Sequence, residues 1–385
     1  MPYLNVDEVE SALVVVSSPP NDSFIQRIPL PHKTWEKRSV NAIKIGNGAG
    51  SERTGVYFLG GVHAREWGSP DILIFFTEQL AQAYRTNSSV TLGGNTFTAA
   101  QIQSIVNTLD IFILPQANPD GRHFSMTTDA MWRKNRRPAP PGRKGHRNCV
   151  GVDINRNYDF LWNYPVYFSA EAPITNSTDP CDYQVYIGPA AASEPETQNV
   201  VYLMERFPQI RYFIDIHSYG EDILYSWGDD DDQSSNSAMN FQNPVYNGLR
   251  GVGGDTAYQE YIDASDKRLS IDLANGMKNA IQAVRGHTYT VEQARSLYPT
   301  AGTSDDYGYS RHIVDSSKSK IVSFVVEWGS PQNSTPFHPR YSEMQQIIQE
   351  ITAGLIEFCL GIIARQAGLL AEVKNESRPG NSRRT

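Results

Sequence analysis

The sequence predicts an α/β domain with a central mixed, largely parallel twisted sheet flanked by helices. Short apolar runs of strand length alternate along the chain with longer segments of helical periodicity. Polar residues that can act as ligands follow several of the apolar runs directly. With 385 residues, 39% of them apolar, and no internal repeat, the chain can form one large hydrophobic core as a single domain.

Periodicity and capping signals place the individual elements. A first helix covers residues 5–18 with Asn5 as its cap, and a second covers residues 69–85 with Ser69 as its cap. The remaining apolar segments predict strands at 39–46, 55–61, 109–116, 211–218 and 320–329, and helices at 271–284 and 342–366. We expect residues 1–365 to form the domain and residues 366–385 to form a flexible C-terminal tail.

Two long loop regions interrupt this alternation, at about 139–181 and 228–267. Loops of this size in a compact domain are usually functional. The second contains the run GDDDD, in which Asp229–Asp232 could bind calcium. No spaced ligand pattern accompanies the four aspartates, so we expect a solvated acidic turn.

The charge balance excludes some classes of partner. A net charge of 34 − 42 = −8 makes nucleic-acid binding unexpected. Basic residues crowd together between 122 and 147, and their density alone favours a solvated loop over an anion-binding rim. No segment is expected to be apolar enough to span a bilayer, and no signal peptide is expected at the start of the chain. We expect a monomer that binds neither nucleic acid nor membrane.

Three cysteines bear on the redox compartment. Cys149 and Cys181 flank a loop region rich in polar residues and could pair. Cys359 belongs to the apolar helical run LIEFCLGII and is expected to be a buried thiol.

Several polar residues are predicted to meet at one edge of the sheet. His63 follows the run GVYFLGGV, His217 ends RYFIDIH, Glu327 ends IVSFVVE, and Asn118 to Gly121 follow IFILPQ. In open α/β sheets, ligands bind at the carboxyl ends of the strands. Each residue alone could simply end a strand, but several at one edge indicate a site.

The histidines allow a metal site at this edge. Catalytic zinc takes three protein ligands, and two histidines with one glutamate are a common set. His63 and Glu66 lie on a turn that enters a helix, so both can reach one ion. His217 is the one other histidine that closes an apolar strand, since the remaining six lie in polar surroundings. The pair alone is a weak signal, and His217 strengthens it.

Six blocks of the chain carry a family resemblance: GGVHAREW, NPDGRHF with MWRKNRR, CVGVDINRNYDF, FIDIHSYG, LYPTAGTSDDYGY and FVVEWGS. In order and approximate spacing they resemble the zinc metallocarboxypeptidases of the carboxypeptidase A/B type (M14-like). The resemblance extends from Tyr3 to about Arg365. It implies a single catalytic domain with a carboxypeptidase A-like fold and one Zn²⁺ ion. It also implies an exopeptidase that hydrolyses the C-terminal peptide bond of peptides and proteins.

The resemblance implies roles around the metal. His63, Glu66 and His217 match the zinc ligands, and Asp153 matches the carboxylate that hydrogen-bonds the first histidine and fixes its tautomer. Glu327 matches the general base, which takes a proton from zinc-bound water.

The resemblance also implies roles toward the substrate. Arg133 matches the arginine that polarises the scissile carbonyl and holds the oxyanion. Asn155, Arg156 and Tyr298 match the residues that hold the free terminal carboxylate, because a guanidinium fork suits a carboxylate. Arg65 matches an auxiliary arginine along the approach.

Further implications concern the subsites and the covalent structure. Ser218 and Tyr219 match subsite-lining residues that the family joins by a cis peptide, so a cis bond is predicted there. Cys149 and Cys181 match a family disulfide, which favours a secreted protein, although a cytoplasmic location stays open. The family's inhibitory prosegment is not expected within this chain.

Alignment on Tyr298 places Asp305 at the floor of the specificity pocket. In the family, a carboxylate there accompanies cleavage of C-terminal Lys or Arg, and a buried aspartate needs a cation to meet it. We therefore expect a preference for basic C-terminal residues. TSDDYGYSRH departs from the vertebrate pattern, so Asp305 or Asp306 could instead be a structural cap, or Arg311 could neutralise the floor.

Other functions compete with this interpretation. The same chemistry could act with broad or apolar specificity. A catalytically inactive peptide-binding relative would lack a ligand, the base or the clamp, and all are present. A deacylase on the same fold would lack the Tyr298 block, and an enzyme that trims glutamate would need a basic pocket floor.

Overall fold

The computed structural model describes residues 3–48 and 53–376, with side chains described through residue 368. In the described residues the strands are β1 (Ile25–Pro29), β2 (Asn41–Ile45), β3 (Thr54–Gly60), β4 (Val90–Leu92), β5 (Asn95–Phe97), β6 (Leu109–Leu114), β7 (Ile210–His217), β8 (Asp222–Tyr225), β9 (Asp232–Gln233), β10 (Glu260–Tyr261), β11 (Thr290–Gln293) and β12 (Val322–Glu327). The helices are α1 (Val6–Val16), α2 (Gly68–Thr86), α3 (Ala99–Thr108), α4 (Pro119–Thr127), α5 (Tyr164–Tyr167), α6 (Pro195–Arg206), α7 (Ala264–Arg285), α8 (Ser304–Val314) and α9 (Tyr341–Glu376).

Eight strands form the main sheet, in the order β1-β2-β6-β3-β7-β12-β8-β11. The four central strands, β6, β3, β7 and β12, run parallel to one another. The strands β1 and β2 are antiparallel at one side, and β8 is antiparallel to β12 at the other. The predicted mixed, largely parallel sheet is confirmed. Its parallel centre requires crossover helices, which is why strands and helices alternate along the chain.

Both faces of the sheet are buried, and strand periodicity divides the core between them. In β3, Val56 and Phe58 belong to one hydrophobic cluster, whereas Tyr57 and Leu59 belong to the other. Helices α2, α7 and α9 cover the first face, and α6 and α8 cover the second. Burying one such side chain stabilises the fold by roughly 1.5–3 kcal/mol. Parallel strands covered on both sides read as continuous apolar runs, as β3 does.

The predicted elements are largely present, with one capping error. Asn5 caps α1 through a capping box with Glu8, so the predicted cap is confirmed. Ser69, in contrast, does not cap α2, which begins at Gly68. The Ser69 hydroxyl lies inside the helix and accepts a hydrogen bond of 2.9 Å from Nε1 of Trp328. The capping rule expected the Ser69 hydroxyl to bind the start of α2, but Trp328, which is distant in sequence, occupies it instead.

Helix α9 is apolar throughout most of its length. Residues Tyr341–Gly368 are long and apolar enough to cross a membrane by composition, so the prediction that no segment meets that test was wrong. The most apolar stretch is 67% buried inside the protein, packed against α2 and α7. A core helix passes the same test. The helix continues to Glu376, so its backbone includes residues 366–376 of the expected tail, while residues 377–385 lie outside the described residues.

The acidic run 229–232 is half buried, with Asp231 and Asp232 partly exposed, and the prediction of a solvated turn was wrong. Asp229 and Asp230 are at most 1% exposed. Asp230 accepts a 2.6 Å hydrogen bond from the backbone of Gly251, and Asp232 pairs with Lys267 at 2.7 Å. Two aspartates of the run therefore bind distant parts of the same long loop region and hold that region together.

Cys149 and Cys181 form a disulfide bond, as the resemblance implied. It closes the first long loop region. Cys359 is a buried free thiol, as predicted.

Candidate active site and metal centre

Three neighbouring strands at the centre of the sheet end at the candidate site. The last residue of β7 is His217, and the last residue of β12 is Glu327, its partner in register. On the other side of β7 lies β3, and the chain leaves it through a turn that carries His63 and Glu66. The carboxyl ends of parallel strands meet at one edge, so these four side chains start close together.

Gly61 makes this turn possible. Its φ is +64°, a conformation that residues with a Cβ rarely adopt. A Cβ at Gly61 would also lie 2.9 Å from the Cα of Gln116. The chain therefore turns tightly against the neighbouring strand end, and the two residues that follow bring His63 to the site.

Three atoms of the predicted ligands converge in the candidate metal centre, which consists of His63, Glu66 and His217. Nδ1 of His63 lies 2.8 Å from Oε1 of Glu66 and 3.0 Å from Nδ1 of His217. The same nitrogen of His217 lies 3.0 Å from Oε2 of Glu66. In the described part of the chain these residues form the one group of three that could hold a metal ion. Two imidazole nitrogens and one carboxylate oxygen fit zinc, whose bonds to such atoms are about 2.0–2.2 Å long.

The charge of the metal centre favours a cation. Burial alone would raise the pKa of Glu66, but the neighbouring His63 and His217 hold it below its ordinary value. Burial would likewise raise the pKa of Asp153, but Arg133 and His63 hold it well below the usual range. Both carboxylates are therefore ionised at neutral pH, and the three ligand residues are at most 5% exposed.

Asp153 orients His63 and holds Arg133. Its Oδ1 lies 3.1 Å from Nε2 of His63, which leaves Nδ1 directed to the metal centre. Its Oδ2 accepts hydrogen bonds from Nε and Nη2 of Arg133, at 3.0 and 2.9 Å. The guanidinium is thus fixed beside the metal centre.

An open cavity of about 260 Å³ joins the metal centre to the predicted substrate-binding residues. Its lining includes most of the predicted set, namely His63, Arg65, Glu66, Arg133, Asn155, Arg156, Ser218, Tyr219, Tyr298 and Glu327. A smaller cavity of about 50 Å³ shares four of these residues and extends to Asp305. A separate cavity of about 390 Å³ beside residues 137–141 contains none of the metal-centre residues.

The side chains expected to hold a carboxylate line both the cavity at the metal centre and the smaller cavity that extends to Asp305. Asn155 uses its Oδ1 to accept from the backbone of Ser304 at 2.8 Å, and its amide nitrogen has no partner within the described residues. Arg156 donates to the carbonyls of Asn155 and Thr175 at 2.7 and 3.0 Å. Its guanidinium lies 6.0 Å from the ring of Tyr298, which is 36% exposed. Two fixed groups and one exposed tyrosine therefore face a shared space.

Asp305 and Asp306 have different environments. Asp306 accepts hydrogen bonds from the backbone of Gly228 at 3.1 and 3.0 Å, so it has a structural partner. Asp305 lines the smaller cavity and is 2% exposed, and burial raises its pKa. Arg311 donates instead to the carbonyl of Met204 and makes no ion pair with either aspartate. Neither aspartate pairs with a cation in the described structure, and Asp305 is the one of the two that lines the cavity.

The approach to the cavity combines Arg65 with aromatic rings. Arg65 bonds Gln184 at 2.9 Å and lies 4.1 Å above the ring of Phe337. Burial and the nearby Arg133 lower the pKa of Arg65 to about 10. Tyr219 packs edge-to-face against Phe337, and the Ser218–Tyr219 peptide is cis, as predicted. Phe337 lies in an irregular loop and carries no sequence signal.

Some sequence candidates lie outside the cavity. Asn118 caps α4 and bonds the carbonyls of Val62 and Lys134, so its role is structural. The basic stretch is a solvated loop only in part, since residues 141–148 are exposed whereas its earlier basic residues include buried ones. Arg122 is buried against Asp71, and Lys134 donates to two carbonyls while only 1% exposed.

Two residues of the site escaped the sequence analysis. Asp215 is fully buried on β7, two residues before His217 and therefore on the same face of the strand. The spacing of two residues on a predicted strand could have identified Asp215 as a neighbour of His217. Thr303 lines the smaller cavity with a buried hydroxyl that has no hydrogen-bond partner in the described structure. Only the pocket itself reveals that hydroxyl.

The segment that carries Arg133 is anchored by a buried pair of glutamates. Asn135 donates its amide hydrogens to Glu194 at 2.8 Å and to Glu196 at 2.9 Å. Glu194 is also paired with Arg137, but the second oxygen of Glu196 has no partner among the described residues. Burial therefore raises the pKa of Glu196 from 4.5 to about 8.

We expect the free energy of unfolding to fall with rising pH because of Glu196. A raised pKa in the folded state means that its contribution is complete below pH 4.5 and is lost as pH rises to about 8. Glu196→Gln should shrink the difference between pH 5 and pH 8 by on the order of 3 kcal/mol, measured by urea unfolding. Glu205→Gln, at an exposed position of the same helix, is the control and should follow the wild type. An unchanged pH dependence in Glu196→Gln would contradict this account.

Sequence comparison places this geometry within a known family. The profile of the peptidase M14 family, described as zinc carboxypeptidase, matches residues 21–354. The chain belongs to the zinc carboxypeptidase family. It is 29% identical to carboxypeptidase A4 of Mus musculus over 282 residues, which is 73% of this chain and 54% of that protein. It is 28% identical to carboxypeptidase B of Canis lupus familiaris over 282 residues, again 73% and 54%. The matched region thus spans about half the length of these relatives.

Solved carboxypeptidase structures share the fold of this zinc carboxypeptidase family member. A bovine thrombin-activatable fibrinolysis inhibitor, solved in complex with tick carboxypeptidase inhibitor, superposes with a TM-score of 0.67 and 21% identity, covering 94% of this chain and 98% of that one. Carboxypeptidase A of Helicoverpa armigera gives a TM-score of 0.68 and 20% identity, with 94% and 74% covered. The predicted carboxypeptidase A-like fold of one domain is confirmed.

Proposed function

We propose that this protein is a zinc-dependent exopeptidase that removes single residues from the C-terminus of peptides and proteins, with a preference for Lys and Arg. The observation that carries the proposal is the convergence of His63, Glu66 and His217 beside Glu327. The cavity that reaches this group is also lined by Arg133 and Arg156. The disulfide supports an extracellular location, because such bonds persist in oxidising compartments. The family membership supports the reaction class.

His63, Glu66 and His217 would hold one zinc ion. When bound, that ion supplies a Lewis acid and lowers the pKa of a coordinated water toward neutrality. The two histidines would use Nδ1 for this role, and Asp153 would then accept the proton that His63 carries on Nε2.

Glu327 would move the proton in the reaction. It closes β12 beside His217, and burial raises its pKa to about 7, with the charges of His217 and Glu66 acting in opposite directions. A carboxylate in such surroundings can accept a proton from the attacking water and return it to the leaving amine. Its buried Oε2 has no hydrogen-bond partner among the described residues, which supports a group kept free for that transfer.

Arginines would supply the fixed positive charge that the substrate needs. Arg133 is held against Asp153 through Nε and Nη2, so its position does not depend on substrate. A cation beside the scissile carbonyl stabilises the negative charge that develops on its oxygen. Arg156, Asn155 and Tyr298 would bind the terminal carboxylate, which restricts cleavage to the last residue.

Asp305 supports the preference for basic residues. It lines the cavity next to the proposed carboxylate clamp, it is 2% exposed, and no described cation pairs with it. A buried ionised carboxylate without a partner is costly, and a Lys or Arg side chain of the substrate would remove that cost.

The reaction is tested with a panel of peptides that share one sequence and end in Lys, Arg, Leu, Phe or Glu. We expect release of a single residue, fastest for Lys and Arg, and loss of release after treatment with a zinc chelator. The matched control is the Lys peptide with an amidated C-terminus, which should resist cleavage because it lacks the carboxylate that Arg156 would bind. Chelator-insensitive release, or none at all, would leave a peptide-binding protein as the better description. Faster release of Leu or Phe would retain the reaction and reject the preference.

A further inference from the structure

The carboxylate of Asp215 occupies the space behind the second histidine of the metal centre. Its Oδ2 lies 2.9 Å from Nε2 of His217, and the residue is fully buried. Within the described chain, Nε2 of His217 donates no hydrogen bond of good alignment. On the side of the ring away from Glu66, the carboxylate of Asp215 lies within ion-pair distance of this nitrogen. When Nδ1 of His217 is directed to a metal, Nε2 carries the proton and needs an acceptor.

We propose that Asp215 is a positioning residue for the metal centre, which fixes the ring of His217 and links it to the specificity pocket. The inference rests on the proposed zinc site. Each histidine then has a buried carboxylate at Nε2: Asp153 is hydrogen-bonded to His63 at 3.1 Å, and Asp215 lies 2.9 Å from His217 in an ion-pair contact that is not aligned as a hydrogen bond. Such partners set both the tautomer and the orientation of a metal ligand.

The two supporting carboxylates differ in charge balance. Asp153 is neutralised by two hydrogen bonds from Arg133. Asp215 has no arginine or lysine within ion-pair distance in the described structure, and its Oδ1 has no hydrogen-bond partner. Its negative charge therefore acts on the metal centre without compensation. Because a buried charge is weakly screened, Asp215 should strengthen the binding of a divalent cation at His217.

The same oxygen connects the metal centre to the specificity pocket. Oδ2 of Asp215 accepts a 2.6 Å hydrogen bond from the hydroxyl of Ser304, the first residue of α8. Ser304 precedes Asp305, the proposed floor of the pocket. One carboxylate oxygen thus contacts both the ring of a metal ligand and the helix start that presents Asp305. This arrangement fixes the distance between the metal centre and the pocket floor.

A structural role through Ser304 alone is the competing explanation for Asp215, and Ser304→Ala separates the two. That variant removes the hydroxyl and leaves the contact between Asp215 and His217 intact. We expect Ser304→Ala to bind zinc about as tightly as the wild type. Asp215→Ala removes both contacts, whereas Asp215→Asn keeps an oxygen that can accept from His217 but lacks the charge.

The experiment measures zinc affinity by competition with a chelator, without substrate, for the wild type and the variants Asp215→Ala, Asp215→Asn, Ser304→Ala and His217→Ala. We expect Asp215→Ala to bind zinc about 10–100-fold more weakly than the wild type, with Asp215→Asn in between. The visible absorption of the cobalt-loaded proteins is the second readout. It should change in both Asp215 variants and not in Ser304→Ala, because it reports the ligand geometry rather than the stability of the fold.

Each outcome of these measurements is decisive. If His217→Ala bound zinc like the wild type, the proposed metal site itself would be wrong. If His217→Ala lost zinc while both Asp215 variants kept wild-type affinity, the positioning role would be rejected and the metal site retained. Equal weakening in Ser304→Ala and Asp215→Ala would assign the effect to α8.

A measurement on the wild type decides the case in which the Asp215 variants fail to fold. In the cobalt-loaded protein, the imidazole N–H protons of both histidine ligands are shifted by the metal and exchange with solvent. We expect two such signals with slow exchange, since Asp153 and Asp215 each hold one in a buried contact. A single protected signal would overturn the inference.

Discussion

Glu327→Gln is expected to abolish turnover while zinc stays bound. The amide keeps the shape of the side chain but cannot accept the proton of the attacking water, a step worth about 10²–10⁴-fold in rate. Glu327 is absent from the group of three residues whose ligand atoms converge, so zinc affinity should not depend on it. The measurement combines kcat/KM on a Lys-ended peptide with zinc content after dialysis.

Two matched variants sharpen this expectation. Glu66→Gln should lose zinc affinity, because the ionised Glu66 carboxylate lies within 3.0 Å of Nδ1 of both histidines. Asp222→Asn changes the residue opposite Glu327 on β8 and should retain most of the activity. If Glu327→Gln and Glu66→Gln lost metal equally, the separation of base from ligand would be mistaken.

The sequence was sufficient wherever the signal was local. Strand period and length predicted β3, β7 and β12. Because His217 and Glu327 were each predicted to end a strand, they were expected at the same edge of the sheet. The register of β7 and β12 places these two residues side by side. Parallel strands leave little freedom here, because shifting the register by one residue would reverse the faces of all the side chains.

The sequence was insufficient wherever a partner came from a distant part of the chain. Ser69 looked like a helix cap, but Trp328 uses its hydroxyl. Asp230 looked solvated, but the backbone of Gly251 covers it. Capping and solvation rules describe the near neighbours of a residue, whereas tertiary packing decided both cases. The choice between Asp305 and Asp306 also needed the fold, since only the fold gives Asp306 its partner in Gly228.

Asp305→Asn is expected to lower kcat/KM for Lys- and Arg-ended peptides by about 10²–10³-fold while leaving Leu-ended peptides little affected. Removing one partner of a buried charge pair costs roughly 2–5 kcal/mol, which corresponds to a change of this size. The substitution keeps the volume of the side chain, so the loss would report charge rather than packing. Asp305→Leu should go further and favour Leu- and Phe-ended peptides, because it makes the cavity floor apolar.

Asp306→Asn is the matched control for this specificity test. Asp306 is the neighbouring buried aspartate, but both of its oxygens are directed to the backbone of Gly228 and not to the cavity. Its replacement should lower thermal stability and leave the ratio of Lys to Leu cleavage unchanged. If the ratio changed in Asp306→Asn and not in Asp305→Asn, the pocket floor would have been assigned to the wrong residue. If neither variant changed it, the preference for basic residues would arise from neither aspartate, and the electrostatic argument for Asp305 would fail.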